Sequence, residues 1–555
     1  MSIDEMTLNS KNEDVSVLIV GGGPVGLAMA LDLAWRGVDC MLVEKTDGAI
    51  DTPKLGAVSI RTMELARRWG IAEQVRQTPY QRDWGLSMVF CTSIATHLLA
   101  KLPYPSLADD LIPPESPEKK WRCPQLWFDP MLADCARAYP HVDMRYRTRL
   151  DSFEAHPDRV VSHITDTETG QTRVVTSRFL IGCDGPGSTV RRSLGIAMHG
   201  QRSLDHSVAI FFRSRELATK NDKGAAERYY FIDKGGWCGN ISAMDGRELW
   251  RMTVPSDEQG VDQVVRDAAL WVRRALGTDA ISFEIISALP WRRSQLTAEH
   301  YGSGRVLIAG DSAHTMSPTG GLGMNTGLGD VDNLGWKLQA VLDGWAGPEL
   351  IDSYSVERHP IGVRNAAFSA KNYFALKSVL NCAEVEDASP AGAAMRQAIG
   401  EEITNLTRAE WEQLGVHLGY RYEGSPIIIA DDTEAPEDHQ SDYVPTTRPG
   451  HRAPHVWLQG GSAGATSSGL STIDLYGRTF VLIQSGKNPP DVTAFVEAAA
   501  QRGMPLKVEC LEQPAVEQSY ERSLVLVRPD GHCAWRGNSV PLDAGRVLDV
   551  ARGAA

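Results

Sequence analysis

What this sequence lacks already excludes several classes of protein. No uninterrupted apolar run approaches the ~20 residues of a membrane-spanning helix, so we expect no membrane span. Residues 1–14 are polar and lack the basic start and apolar stretch of a secretory signal, which favours a flexible tail and a cytoplasmic location. Basic residues are outnumbered, 56 against 70 acidic ones, and the net charge of −14 disfavours a nucleic acid as the main partner.

Cysteine is sparse as well. The nine cysteines are scattered, odd in number and without a Cys-x-x-Cys pair. This pattern predicts reduced, mostly buried thiols, with neither a disulfide framework nor a metal site. The chain of 555 residues exceeds what one hydrophobic core accommodates, about 250 to 300 residues, so we expect two or three domains.

Glycine, in contrast, forms a meaningful pattern near the amino terminus. The apolar run Val15–Val20 leads into a turn, and the chain then continues as a helix without a breaker. In this unit Gly21 permits the tight turn, Gly23 lets the backbone approach a pyrophosphate, and Gly26 lets helix and strand pack closely. Glu44 ends the next predicted strand, where a carboxylate binds ribose hydroxyls and disfavours a 2′-phosphate. The motif predicts an adenine dinucleotide and leaves FAD and NAD both open.

Two later segments repeat the pattern of a strand that ends in glycine and aspartate. One apolar strand is followed by Asp184, for which a helix-capping turn is the alternative interpretation, and another is followed by Asp311. A glycine-rich turn over residues 318–329 then precedes a predicted helix over residues 330–342. The positive amino end of that helix points back at the turn and would stabilise a reduced flavin ring. A nicotinamide gains no comparable benefit, so this segment favours a flavin.

Together these segments resemble the single-component (group A) FAD-dependent aromatic hydroxylases. The chain resembles the larger members of this family, which act on phenols, hydroxyphenylpropionates or polyketides and carry a thioredoxin-like C-terminal domain. The resemblance covers residues 15 to about 380 and rests also on Gly310–His314, Asn325, Asp330, Asn333-Leu334, Trp336–Leu338 and Glu357–Pro360.

The resemblance implies an α/β protein with a Rossmann-like FAD-binding domain, an antiparallel-sheet substrate domain and a thioredoxin-like C-terminal domain. The implied boundaries are 15–85, 121–200 and 296–380 for the FAD-binding domain, 86–120 and 201–295 for the substrate domain, 381–450 for a helical or linker region and 451–555 for the C-terminal domain. The last domain has only Cys510 and Cys533 and no redox pair, so we expect a packing or homodimer role for it.

The resemblance also implies which residues hold FAD. Glu44 would bind the ribose and Asp311 the ribityl and pyrophosphate region, with Arg61 and Gln125 nearby. The full cofactor set is Gly21, Gly23, Pro24, Val25, Gly26, Glu44, Lys45, Arg61, Gln125, Asp184, Asp311, Gly323, Met324 and Asn325, the last three against the isoalloxazine edge. NADPH or NADH would dock transiently, since no second Rossmann glycine motif is visible.

The implied reaction uses O2 and a flavin C4a-hydroperoxide to hydroxylate a small aromatic substrate, which we expect to be phenolic. A base that deprotonates the phenol would help, but Gly56 stands where related sequences place a carboxylate or imidazole, so the catalytic residues stay unassigned. His314 is more typical of a structural residue. Two alternatives remain open. One is a FAD-bound oxidase or reductase that acts on a reactive aromatic or polyketide intermediate without hydroxylating it, and the other is a nicotinamide dehydrogenase, which fits only the first motif.

The substrate domain is predicted from strands at Val208–Arg213, Tyr229–Ile232 and Glu248–Val254, which suggest an antiparallel sheet over the flavin. Large apolar side chains on and near these strands suit an aromatic ligand, although core filling is the alternative for each of them. The candidates for the substrate pocket are Gly56, Tyr229, Trp237, Trp250, Trp291 and Pro318.

Overall fold

The computed structural model describes residues 13–50, 54, 56–379, 382–459 and 469–555. The α-helices within these ranges are α1 Pro24–Arg36, α2 Ile60–Arg68, α3 Ala72–Arg76, α4 Gln125–Arg137, α5 Thr189–Ser193, α6 Leu217–Lys220, α7 Val261–Arg266, α8 Ala268–Leu276, α9 Leu322–Leu342, α10 Ser353–Lys377, α11 Pro390–Thr407, α12 Leu414–Leu418, α13 Thr493–Gln501, α14 Pro514–Tyr520 and α15 Ala544–Ala551. Shorter 3-10 helices cover Gly310–Ser312, Arg408–Glu410 and Thr472–Leu475. None of these helices has the length and apolar character to cross a membrane.

The strands form two large sheets and three smaller ones. They are β1 Glu13–Val20, β2 Cys40–Val43, β3 Ala57–Val58, β4 Met88–Cys91, β5 Leu98–Leu102, β6 Trp121–Arg122, β7 Val142–Arg145, β8 Thr148–Ala155, β9 Val160–Asp166, β10 Thr172–Gly182, β11 Met198–Arg213, β12 Arg228–Asp233, β13 Gly236–Ala243, β14 Leu249–Ser256, β15 Glu284–Ala298, β16 Gly302–Ser303, β17 Val306–Ile308, β18 His314–Thr315, β19 Trp457–Gln459, β20 Leu470–Ser471, β21 Phe480–Ser485, β22 Leu506–Leu511, β23 Leu524–Val527 and β24 Cys533–Gly537.

The first large sheet brings the three glycine motifs together. Its strand order is β16-β17-β10-β1-β2-β7, and pairing is parallel from β17 to β7. Val20, Gly182 and Ile308 lie side by side at the carboxyl ends of β1, β10 and β17. Ligands of open parallel sheets bind outside these ends. Strand β1 begins at Glu13, inside the predicted tail, while residues 1–12 lie outside the described ranges.

The second large sheet is antiparallel apart from one parallel pair and has two distinct faces. Its order is β18-β15-β11-β14-β13-β12-β4-β5, and β18 ties it to the third glycine motif. One face, here called the core face, is apolar and packs against α7 and α8. The opposite polar face is turned toward residues 317–320, because Arg293 Nη1 donates to Ser317 Oγ at 2.7 Å. The sheet therefore covers the carboxyl end of the first sheet.

Helix α9 begins at Leu322, earlier than the predicted start at residue 330. Gly327 and Gly329 lie inside this helix. Both positions are occupied by glycine because neighbouring groups approach the helix closely there. A Cβ at Gly327 would come within 3.1 Å of the Gly310 Cα, and one at Gly329 within 2.8 Å of Arg358 Nη2. Glycines that suggested a long turn are thus explained by close packing around the helix.

The C-terminal domain has a four-stranded sheet in the order β22-β21-β23-β24, with β21 and β22 parallel and the other pairs antiparallel. Helices α13 and α15 pack against Phe480 and Leu482 of its central strand. This is the predicted thioredoxin-like arrangement. Cys510 is exposed, whereas Cys533 is buried and burial raises the pKa of its thiol.

Buried ion pairs fasten the C-terminal domain to the domain of the first large sheet. Arg528 donates to both carboxylate oxygens of Glu357, at 2.5 and 2.9 Å, and Lys337 Nζ lies 2.7 Å from the same carboxylate. Arg452 makes a second pair with Glu64, and all five side chains are nearly inaccessible to solvent. Because breaking such a pair leaves a buried charge, the two domains are tightly coupled.

Candidate active site

The first glycine turn is held by Glu44. Gly21 has φ +112°, a backbone conformation that favours glycine. The Gly22 N–H donates to Glu44 Oε2 at 2.7 Å, and Glu44 Oε1 accepts from the Thr46 N–H at 2.9 Å. The carboxylate predicted to bind a ribose therefore lies at the turn and also fixes its shape. Lys45 is exposed beside it.

Two glycines of this motif have opposite surroundings. A Cβ at Gly26 would overlap the Gly21 carbonyl oxygen, so this residue serves close packing of helix and strand. A Cβ at Gly23 would meet no described atom within 4 Å. Gly23 is the N-cap of α1 and makes no side-chain capping bond, and Pro24 follows as the first helical residue. The open side of the helix start is suited to a phosphate group.

Asp184 joins the second motif to the third. Its Oδ2 accepts from the Thr189 N–H at 2.6 Å, at the start of α5, and its Oδ1 accepts from Ser312 Oγ at 3.1 Å. The Gly185 N–H donates to the same hydroxyl at 3.0 Å. The capping interpretation thus holds for one oxygen of Asp184, while the other binds the Asp311 segment.

A buried carboxylate fixes the third motif. Asp330 accepts from the Gly310 N–H at 3.0 Å, lies 2.8 Å from His314 Nε2, and accepts from Arg358 Nε at 2.8 Å. Burial alone would raise the pKa of Asp330, but the neighbouring His314 and Arg358 outweigh burial and hold the pKa below its usual value. His314 is fully buried in this network, which agrees with its expected structural role.

Asp311 is placed differently from Asp330. Its carboxylate is about one third exposed and lies 3.5 Å from Lys54 Nζ. A Cβ at Gly323 would lie 4.0 Å from Asp311 Oδ1, so this carboxylate stands beside the first turn of α9. Val25 of α1 packs against Gly310, the preceding residue. Asp311 is therefore the partly exposed carboxylate of the third motif at the carboxyl end of the sheet.

The start of α9 presents backbone amides with no side-chain cap. Its N-cap is Gly321, at φ +68°, and the first turn contains no acidic residue. Asn325 uses its side chain for structure, since Nδ2 donates to the Ala57 carbonyl at 2.8 Å and Oδ1 accepts from the Ser59 N–H at 2.9 Å. Met324 is partly buried beside it. The helix start therefore provides partial positive charge, which would suit an electron-rich ring.

Two other cofactor candidates have different surroundings. The Gln125 Oε1 accepts from the Lys54 N–H at 3.4 Å and its Nε2 donates to Asp129 Oδ2 at 2.9 Å, so Gln125 adjoins the Lys54–Asp311 pair. Arg61 differs from the expectation. Its guanidinium is buried and donates to Glu64, Asp332 and the Asp530 carbonyl, toward the C-terminal domain.

The polar face of the second sheet carries three arginines together with polar and aromatic side chains beside them, here called the arginine cluster. Its described members are Arg228, Asn240, Ser242, Arg251, Thr253, Trp291 and Arg293. Arg228 Nε donates to Ser242 Oγ at 3.1 Å, and Arg251 Nη1 donates to Thr253 Oγ1 at 3.1 Å. Because side chains alternate along a strand, these residues share the face that is turned toward the glycine turn.

Four predicted pocket residues divide between the two faces. Tyr229 and Trp250 lie on the core face, fully buried, which differs from the expectation that they line the pocket. Their polar atoms donate to the Gly224 and Ser214 carbonyls. Trp291 is on the polar face, and Trp237 packs edge-on against Tyr373 of α10 on the same side.

The other two pocket candidates lie at the rim of the cofactor region. Pro318 is exposed in the turn before α9. Gly56 is buried, and a Cβ there would overlap the Cys123 carbonyl oxygen. The close approach of β3 and β6 therefore explains this glycine, and the backbone has no room for a base at position 56.

Two buried donors on the described polar face have no hydrogen-bond partner. Within the described residues, Arg251 Nε and Trp291 Nε1 are buried and have no hydrogen-bond acceptor. Arg228 and Arg293 have carboxylate partners in Glu410 and Asp205, whereas Arg251 forms no ion pair with any residue in the described part of the chain. Burial and the two neighbouring arginines lower the pKa of Arg251 to about 10. An anionic or strongly accepting ligand oxygen would relieve this arrangement.

Comparison with known proteins agrees with this geometry. An FAD binding domain model matches residues 14–369, and an aromatic-ring hydroxylase C-terminal model matches residues 446–553. The chain belongs to the FAD-dependent aromatic hydroxylases. FAD is accordingly the cofactor of this hydroxylase, and the open start of α1, the uncapped start of α9 and Asp311 are suited to hold it.

The hydroxylase resembles the following three proteins over nearly its whole length. A putative polyketide hydroxylase of Streptomyces halstedii is 33% identical over 567 residues, covering 94% of this chain and 93% of the relative. The structure of RebC soaked with chromopyrrolic acid, with bound 7-carboxy-K252c, has a TM-score of 0.91 and 38% identity, covering 98% of this chain and 100% of that one. Aklavinone-11 hydroxylase with FAD and aklavinone has a TM-score of 0.80 and 27% identity, with coverage of 98% and 99%.

Sequence reasoning missed the arginine cluster and its partner Glu410. Arg228, Arg251 and Arg293 are far apart in the chain and belong to no motif. Alternation along β14 was the available signal, since Arg251 and Thr253 stand between apolar residues that point the other way. No sequence signal predicts Glu410.

Proposed function

We propose that this protein is an NAD(P)H-dependent FAD monooxygenase that uses O2 to hydroxylate a polyketide-type aromatic substrate with an anionic or acidic oxygen. The observation that carries the proposal is Arg251, whose Nε is buried and unpaired on the same face of the second sheet from which Arg293 reaches Ser317, shortly before the start of α9. Polyketide hydroxylases among the relatives, and the ligands of the RebC and aklavinone-11 hydroxylase structures, support the substrate class.

The residues of this chain would divide the work in a defined way. When bound, reduced FAD supplies the oxygen-activating chemistry. The start of α9 stabilises negative charge at the ring, and Arg251 holds the substrate oxygen by a charge-assisted hydrogen bond. The second sheet covers the reacting atoms and excludes water. A substrate that is already ionised needs no protein base, which agrees with the lack of room at Gly56.

Replacement of Arg251 tests the substrate assignment. We expect Arg251→Gln to weaken binding of 1-hydroxy-2-naphthoate by roughly 10- to 150-fold, since a hydrogen bond to a charged group contributes about 1.5 to 3 kcal/mol. Binding of uncharged 1-naphthol should change little. Arg247→Gln is the matched control, because Arg247 is exposed at the start of the same strand region. Equal losses for both ligands would contradict a role for Arg251 in holding an anionic oxygen.

A further inference from the structure

A carboxyl group from the connecting segment reaches the glycine turn before α9. Glu410 lies in the 3-10 helix Arg408–Glu410, outside both matched family segments, and is 2% exposed. Its Oε1 accepts from the Gly320 N–H at 3.2 Å. Gly320 has φ +83° and immediately precedes the N-cap of α9. Glu410 thus touches the backbone that leads into the proposed flavin-facing helix start.

The same oxygen also contacts the polar face of the second sheet. Arg228 Nη1 and the Tyr230 hydroxyl each donate to Glu410 Oε1 at 3.4 Å. Arg228 in turn lies over the ring of Trp411, with 5.1 Å between its Cζ and the ring centroid, so the connecting segment encloses this arginine. One carboxylate oxygen therefore joins the substrate-facing arginines to the turn at Gly320.

We propose that Glu410 is a positioning residue that couples occupancy of the arginine cluster to the backbone of the flavin-facing turn. A ligand anion that pairs with Arg228 and Arg251 competes with Glu410 for Arg228. When the pair between Glu410 and Arg228 is lost, either the hydrogen bond from the Gly320 N–H to Glu410 weakens or Glu410 takes up a proton. The substrate class in this inference rests on the proposed function, whereas the contact to Gly320 does not.

The charged and titratable groups around Glu410 support a protonation change near neutral pH. Burial is the largest influence and raises the pKa of Glu410 to about 7, against the lowering effect of Arg228 and Tyr230. Glu227, which pairs with Arg122, raises it further, and Tyr104 faces the group from the loop after β5. The protonated carboxyl releases Arg228, whereas the carboxylate holds it.

The first test uses FAD-loaded protein without substrate. The absorption spectrum of the bound flavin, recorded from pH 5.5 to 8.5, should show one transition near pH 7 in the wild type. It should be absent in Glu410→Gln and retained in Glu412→Gln, whose side chain pairs at the surface with Arg408. Tyr230→Phe removes a donor that stabilises the carboxylate and should move the transition to higher pH. A transition that persists in Glu410→Gln, or that is absent from the wild type, would overturn the coupling.

The second test uses 1-hydroxy-2-naphthoate, whose carboxylate stays ionised over this range, and neutral 1-naphthol. In the wild type the dissociation constant of the naphthoate should rise by up to tenfold between pH 7 and 8, because ionised Glu410 occupies Arg228. In Glu410→Gln the dissociation constant of the naphthoate should not change with pH. The dissociation constant of 1-naphthol should not change with pH in either protein. Competition at Arg228 would be refuted if the dissociation constant of the naphthoate changed equally with pH in wild type and variant, or if the naphthoate bound to neither protein. Neither test requires hydroxylation, so failure of the coupling by Glu410 can be distinguished from failure of the monooxygenase assignment.

Discussion

Two glycine substitutions, three residues apart in the first motif, separate binding of FAD from folding of its domain. In Gly23→Ala the new methyl group meets no described atom within 4 Å, and the backbone at φ −78° and ψ 178° suits alanine. In Gly26→Ala the methyl overlaps the Gly21 carbonyl oxygen, and a backbone atom cannot rotate away. The first change therefore fills space that the protein leaves open, while the second forces helix and strand apart.

The two substitutions are expected to change different quantities, the affinity for FAD in Gly23→Ala and the stability of the apoprotein in Gly26→Ala. Gly23→Ala should leave the stability of the apoprotein within about 1 kcal/mol of the wild type, because the restriction of the unfolded chain by alanine and the lower preference for alanine at an N-cap oppose each other. Its affinity for FAD should fall roughly 10- to 150-fold, the equivalent of one charge-assisted bond of about 1.5 to 3 kcal/mol between a phosphate and a backbone amide. Gly26→Ala should destabilise the apoprotein by about 1 to 3 kcal/mol or more.

Thermal melting of the apoproteins and fluorescence titration with FAD measure the two effects separately. Gly37→Ala is not a suitable control, since Gly37 has φ +82°, and Gly187→Ala in an open loop serves better. If Gly23→Ala bound FAD within about twofold of the wild type, the pyrophosphate would not lie against this turn and the cofactor placement would be wrong.

Further substitutions and acid conditions test the rest of the molecule. Asp311→Ala should weaken FAD binding by about 1.5 to 3 kcal/mol, whereas exposed Asp343→Ala should not, as equilibrium dialysis would show. Arg528→Met should cost about 3 to 5 kcal/mol of stability in urea unfolding, and adding Glu357→Gln should restore part of it; no restoration would contradict the buried pair. Burial raises the pKa of Glu64 and of Glu357, yet their arginine partners hold each at about 2. Since these values lie below the usual 4.5, about 3 kcal/mol of stability per group should be present above pH 4.5 and disappear as the pH falls toward 2, measurable by unfolding at stepped pH.

The cofactor region was predictable because its signals are local. Each glycine motif follows an apolar strand, and the parallel pairing of β1, β10 and β17 places the three motifs at one edge of the sheet. The start of α9 was less predictable, since Gly327 and Gly329 weaken helix propensity and their reason is the approach of Gly310 and Arg358. Tertiary packing decided this boundary.

The substrate side was harder because its strands are buried on both faces. Strand β12, which contains Tyr229 and Tyr230, shows no alternation between apolar and polar residues, so the sequence does not reveal which tyrosine lies on the polar face. Pairing with β13 and β14 decides it. Arg61 shows the same limit, because its partners Asp332 and Asp530 are distant in the chain and belong to no recognisable pattern.

The most direct test of the central claim is the fate of molecular oxygen. FAD-loaded protein, NADPH or NADH and an aromatic acid panel that includes 1-hydroxy-2-naphthoate would be incubated under 18O2, and the products examined by mass spectrometry. A monooxygenase incorporates one labelled atom per hydroxylated product, with NAD(P)H oxidation stimulated by the substrate. Substrate-stimulated NAD(P)H oxidation without label in any product would contradict hydroxylation and favour an oxidase or reductase.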